Sequence, residues 1–440
     1  MKKTSTHHKL GFSKVKPIFP VVILLLAIFF PAYLTAEKGG KARTFILKEE
    51  YLALSKKLWK EGDRLIQRSV KKLLKNADQE LKSKPWPVTK KKYPAPSGDF
   101  HDFVSYGTYY WPNPDTKDGQ PWVMRDGYIN PDAGGDWTKL NRLASQLELL
   151  SLAYYFTGNE VYAAHAALFL RTWFIDKETR MNPNVNYGKI TPGVVEGGYA
   201  VAGFGLVFRR IYDAAGMLES SKSWTKEDKK GFQQWTREFI HWVETSPLAE
   251  IERVSTSNHG TFYEMIMTVQ SLYIGDTGKA RERILFFKNN RMLRHYKPDG
   301  SQPVEMKRAD NYTYHRLNLM IALDIAQLAD HFRDIDLWNY KTPKGAGLRK
   351  AVEFLVPYFC DWQKWPYFKK DVFHIPGVER WPILRRAAIG FKDRCFEAAA
   401  SLIPSYDDDY IVNLCYPKAA VPFTPRDRFF LKFLFLFFPH

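Results

Sequence analysis

The chain is poor in cysteine. Cys360, Cys395 and Cys415 are all that it has in 440 residues, an odd number without metal-ligand spacing, so neither a disulfide framework nor a zinc site is expected. Pairing of any two of them in an oxidising compartment stays open. Alternation of apolar and polar residues with period two is also scarce, which argues against a sheet-built fold. A dinucleotide loop is missing too: "EGGYAVAGFG" holds glycines, but no strand precedes it and the spacing fails. Gly197, Gly198, Gly203 and Gly205 are instead expected where helices pack closely or backbone approaches a ligand.

One long apolar run exists, from Ile18 to Ala36, preceded by Lys2, Lys3, Lys9, Lys14 and Lys16. A basic stretch, an apolar stretch and a small-residue end form the pattern of a secretory signal. We expect cleavage near Ala36, leaving residues 37–440 as a single domain that is periplasmic or secreted; an uncleaved anchor is the alternative. Losing those five lysines takes the formal charge from +18 to +13. Such a field attracts polyanions, among them nucleic acid, anionic lipid and acidic polysaccharide.

What the chain has in abundance is helical periodicity. Residues 44–82 read as helix, with Leu52, Leu58, Leu65, Leu73 and Leu74 regularly spaced. The following stretch, Lys82 to Trp122, is so rich in Pro, Gly and aromatics that no regular element fits, and long loops of this kind are usually functional. Beyond it come a hairpin (Leu140 to Tyr154, then Val161 to Phe174), a helix opened by Thr225 and Asp228 at capping-box spacing, and helices from His259 to Ile274, about Lys279 to His295 and Asn311 to Phe332. The expected fold is therefore all-α, built of helical hairpins as an (α/α) toroid or a solenoid.

Four segments concentrate aromatic, amide and charged residues: "HDFVSYGTYYWPNPD", "RMNPNVNYGKITPG", "TSNHGTFYE" and "PDGSQPVEMKRADNYTYHRLNL". In kind and order they resemble the alginate lyase family of polysaccharide lyases, over about His101 to Asp330. The chain departs from the family pattern at Ala309, where the family usually has Thr, and in the glycine-rich segment. The resemblance implies an (α/α) toroid enzyme that cleaves uronate polymers such as alginate or glucuronan without metal or other cofactor. An acidic polysaccharide is then the expected partner; nucleic acid is not, nor is stable membrane insertion after cleavage of the signal.

β-Elimination at a 4-linked uronate removes the C5 proton beside a carboxylate and expels O4, so it needs neutralising donors, a base and an acid. Asn258 and His259 stand where a helix begins and favours an anion; Asn258 also has the residue type of a helix N-cap. Arg308 offers a fork for a carboxylate. The resemblance points to Tyr314 for the proton transfers, against a packing role on a stripe with Leu317, Asn318 and Ile321; Tyr312 is its rival and His315 a weaker candidate. Tyr109, Trp111 and Tyr187 are expected to stack on sugar rings, with Asn186 and Lys189 as polar contacts. Two other readings stand beside the lyase. A toroid glycoside hydrolase would need two flanking carboxylates, for which Glu196, Glu264 and Glu305 are available but unpaired by spacing; a non-catalytic protein would simply bind acidic glycans. After about Thr342 no motif is found, and the tail "FFLKFLFLFFPH" is too short to span a membrane as a helix, so docking on the fold is expected of it.

Overall fold

A computed structural model describes residues 43–198, 201–368, 380–404 and 406–421. The expected signal and the phenylalanine-rich tail lie outside these residues. The stretch read as one helix is two, α1 (Glu49–Lys60) and α2 (Arg64–Glu80). Gly62, at positive φ, breaks the run, and Asp63 accepts from the Ile66 N–H to cap the second helix. There follow α3 (Trp137–Thr157), α4 (Glu160–Phe174), α5 (Val201–Met217), α6 (Lys226–Thr245), α7 (Pro247–Val254), α8 (Asn258–Ile274), α9 (Thr277–Phe286), α10 (Met292–His295), α11 (Asn311–Ala329), α12 (Leu348–Cys360), α13 (Arg380–Gly390), α14 (Arg394–Ser401) and α15 (Tyr410–Cys415). A π-helical turn over Phe287–Arg291 joins α9 to α10 where one continuous helix was expected.

α3, α5, α8, α11 and α13 pack successively side by side, and α4, α6, α9, α12 and α14 lie outside them. This is an (α/α) toroid. Near the chain's end α15 packs on α2, which packs on α3, carrying the last helix back to the first hairpin. Apolar stripes explain the layering. Phe232, Trp235 and Phe239 of α6 pack with Phe174 of α4 and Phe204 and Phe208 of α5, with Trp235 and Phe239 stacked 5.2 Å apart. Gly203 and Gly205 serve this packing: a Cβ there would collide with the Trp137 and Phe262 rings. Thr225 and Asp228 form the expected capping box.

The long loop does contain strands, though short ones. β1 (Val104–Tyr106) pairs in parallel with β4 (Tyr187–Ile190), and β2 (Tyr110–Trp111) pairs antiparallel with β3 (Val123–Met124). The Ser105 hydroxyl donates to the Gly188 carbonyl, stitching β1 to β4. Cys395 and Cys415 are not joined to each other. No helix among the described residues is long and apolar enough to cross a membrane.

Candidate active site

The site begins where α7 gives way to α8. Ser257, not Asn258, is the N-cap: its hydroxyl accepts from the His259 N–H. Asn258 is the first helical residue and is buried, and its backbone N–H and carboxamide both donate to Glu305, at 2.7 and 2.9 Å. The two bonds turn the carboxamide in one direction. Burial raises the pKa of Glu305, against the opposing pull of those Asn258 bonds and of the Arg308 and His259 charges. His259 is held from the other side, its Nδ1 2.7 Å from Glu252, a carboxylate of α7 with no exposed side-chain surface. Gly260 is fixed by space: a Cβ would run into the Ser255 carbonyl and the Arg291 guanidinium. Arg291 itself binds the Arg253 and Ser255 carbonyls and the buried Glu264 carboxylate, so the turn into α8 is wrapped around it.

The second group comes from the entry to α11. A 3-10 turn, Glu305–Lys307, leads to Arg308, and Asp310 caps α11 by accepting from the Thr313 N–H. The Arg308 guanidinium donates to Asp126 at 2.7 Å, and the Ala309 N–H binds the same carboxylate at 2.9 Å. The central carbon of the guanidinium lies over the Tyr314 ring, 3.7 Å from the ring centre. Burial opposes the charge of Arg308, but the Asp126 bond and neighbouring oxygens outweigh it and hold the guanidinium charged. The Tyr314 hydroxyl is 2.7 Å from that of Tyr109. Burial and Tyr109 raise the Tyr314 pKa above its ordinary value, against the pull of Arg308, so the phenol rests protonated.

Tyr312, two residues earlier, is fully buried and donates to the Tyr358 carbonyl at 2.9 Å. His315 is equally buried: Nε2 accepts from the Gln302 N–H, and Nδ1 lies 3.1 Å from the Asn311 carbonyl. Both belong to the packing. Tyr314 is half-buried, although it shares a helical stripe with the buried Asn318 and Ile321.

The strands supply a wall. Tyr109, Trp111 and Tyr187 are all half-buried, with the Trp111 indole N–H on the Tyr128 carbonyl. Lys189 on β4 sits 6.0 Å over the Tyr110 ring. Burial lowers its pKa; Glu252 opposes the shift and Arg308 adds to it, which puts Lys189 within electrostatic reach of both carriers of the site. Asn186 turns its side-chain oxygen to the Trp242 indole N–H at 2.9 Å, tying the wall to α6. Gly197 and Gly198 lie against the Asn186 and Lys189 carbonyls, an approach of backbone to backbone and not the helix packing or ligand contact expected of them.

The family model for alginate lyases matches residues 87–365, more than half the chain. The chain belongs to the alginate lyase family. Among solved structures it is similar to an alginate lyase from Bacteroides ovatus, with 34% identity, a TM-score of 0.81, and 86% of this chain and 100% of that one covered. It also shares the fold of alginate lyase A1-III complexed with tetrasaccharide, at 15% identity and a TM-score of 0.54, with 85% of this chain and 95% of that one covered. A comparison with curated proteins returned no match. The protein is thus a polysaccharide lyase.

In this alginate lyase family member, the three carboxylates considered for hydrolysis sit in three different settings. Glu196 is exposed, Glu264 is buried against Arg291, and Glu305 is buried against Asn258. Among the described residues no group of three or more His, Cys, Asp or Glu side chains is gathered to hold a metal ion. Sequence reasoning missed Asp126 and Glu252 and named Glu305 only as a carboxylate available to a hydrolase. Glu252 stands seven residues before His259, two helical turns if α7 and α8 were one helix, which they are not. Asp126 reaches Arg308 across 182 residues, and no local pattern signals that.

Proposed function

We propose that the enzyme cleaves 4-linked uronate polymers of the alginate or glucuronan type by β-elimination. Asn258, His259 and Arg308 offset the charge of the substrate carboxylate as a second negative charge develops beside it. Tyr314 gives its phenolic proton to O4 as the C4–O4 bond breaks. The base at C5 depends on the sugar: Tyr314 itself serves when proton and leaving group lie on one face, and His259 serves when they lie on opposite faces, as in guluronate. The observation that carries this reading is the Tyr314 hydroxyl, protonated at rest, beneath a guanidinium fixed by Asp126. Tyr109, Trp111, Tyr187 and Lys189 suit the remaining sugars, and the alginate lyase from Bacteroides ovatus supports alginate as a substrate class. Export through residues 1–36 to the periplasm or beyond would bring the enzyme to such polymers.

The test is direct. Elimination leaves a C4–C5 double bond that absorbs in the ultraviolet, and hydrolysis does not. Purified protein should raise that absorbance on at least one of polymannuronate, polyguluronate and glucuronan. Reducing ends released without absorbance would show a hydrolase, and polymer bound but intact would show a binding protein.

A further inference from the structure

We propose that Glu252 is a positioning residue that fixes the His259 imidazole with its proton on Nδ1, so that Nε2 is the base for elimination at the C5 epimer whose proton faces away from Tyr314. The inference rests on the lyase reading above and deepens it, assigning a polymer preference to one buried carboxylate.

The geometry has three parts. Glu252 Oε2 lies 2.7 Å from His259 Nδ1, while Oε1 faces the Ala202 N–H at 3.4 Å. An ionised carboxylate only accepts, so the Nδ1 facing it carries the proton, and a neutral ring then presents Nε2 as its acceptor. Second, the Glu252 side chain has no exposed surface, whereas a third of the His259 side chain is accessible. The carboxylate therefore acts through the imidazole and not on substrate. Third, the acid and this base stand on different helices, Tyr314 in α11 and His259 at the start of α8, and Glu305, which leads into α11, binds Asn258 beside His259. Two separate proton-handling groups are what an elimination across opposite faces requires. On the opposite face the Tyr314 hydroxyl is engaged at O4 as the acid, which leaves the C5 proton to a second group.

The step balances. His259 Nε2 takes the C5 proton, the C5–H pair forms the C4–C5 double bond, and the C4–O4 bond breaks. O4 takes the Tyr314 proton. Solvent later removes the imidazolium proton and restores the phenol.

Glu252→Gln tests this. With its oxygen kept for the Ala202 N–H, the new amide turns NH2 toward Nδ1 and favours the other tautomer. Loss of an orienting carboxylate can cost orders of magnitude in turnover. We expect the ratio of kcat on polyguluronate to kcat on polymannuronate to fall about tenfold or more, because only the first uses His259 as base. Glu252→Ala should move the ratio the same way. Independently of turnover, spectra of 15N-labelled histidine, with His259 assigned by His259→Gln, should show a protonated Nδ1 in the wild type and loss of that preference in Glu252→Gln. An unchanged ratio in both variants, or a wild type that cleaves mannuronate but not guluronate, overturns the assignment. A wild type without the Nδ1 preference overturns it as well. Failure of the wild type to release unsaturated product from any uronate polymer would instead sink the lyase reading, and the spectra would still decide whether Glu252 sets the tautomer.

Discussion

Tyr312 and Tyr314 leave the same turn of α11 and meet opposite fates. Each has a guanidinium over its ring, Arg316 on the first and Arg308 on the second, but the first is sealed against Trp365 and Phe368 with its hydroxyl on a backbone carbonyl, and the second turns its hydroxyl to another phenol. Two histidines repeat the contrast: His315 is bonded at both nitrogens inside the packing, and His259 is bound to a carboxylate yet a third exposed. In each pair the residue type is the same and the second partner differs. In these two pairs the side chain whose polar atoms end on backbone serves the fold, and the one whose polar atoms end on another side chain is the one proposed to do chemistry.

The sharpest way to break this contrast is Tyr314→Phe, which should lower kcat about a thousandfold, the range of a lost acid–base group, with little change in stability. Near-wild-type turnover on every polymer would place the proton transfer elsewhere. Next, Arg308→Ala and Asn258→Ala should each lower kcat about a hundredfold, as expected when one preorganised donor to developing charge is removed. A folded variant with normal turnover would return that residue to the packing.

The buried histidine sharpens the contrast through pH. Burial pushes His315 down to about 4 from 6.5, against its bond to the Asn311 carbonyl. Its neutral form is the folded form, so the stability it contributes is whole above about pH 6.5 and is lost as pH falls toward about 4. Denaturant melts should therefore find the advantage of wild type over His315→Gln smaller at pH 5 than at pH 7 by about 2 kcal/mol. An advantage independent of pH would mean that His315 is not buried neutral. Glu305→Gln should cost about tenfold in kcat, because the amide puts an NH2 donor where one of the two carboxylate oxygens accepted from Asn258, and the carboxamide must turn; unchanged kinetics would deny Glu305 any hold on Asn258. The smallest effect belongs to Tyr312→Phe: about 1 kcal/mol of stability from a lost buried hydrogen bond, with kcat unchanged. Loss of turnover there, with Tyr314→Phe active, would reverse the roles of the two tyrosines.

The hairpins were legible in the sequence because apolar spacing, Gly158 and Gly275 at helix ends, and the Thr225–Asp228 box are all local signals. The start of α8 was legible only to within one residue. Ser257 and Asn258 are equally good caps, and Glu305, 47 residues on, claims the asparagine. The strands escaped notice because two to four residues cannot display a period, and their pairing comes from distant segments. Asp126 and Glu252 escaped for the same reason, since an acid that buttresses a site looks like any other acid until the fold brings it there.

The bonds that complete the site close very long loops: Arg308 to Asp126 spans 182 residues and Tyr314 to Tyr109 spans 205. Closing such loops costs entropy before any contact rewards it, and helices, whose contacts are local, pay no such toll. A refolding chain should therefore recover its helical signal before its turnover. Activity in this enzyme would then report long-range closure and not helix formation, and a chain with most of its helices in place would still have nothing with which to cut.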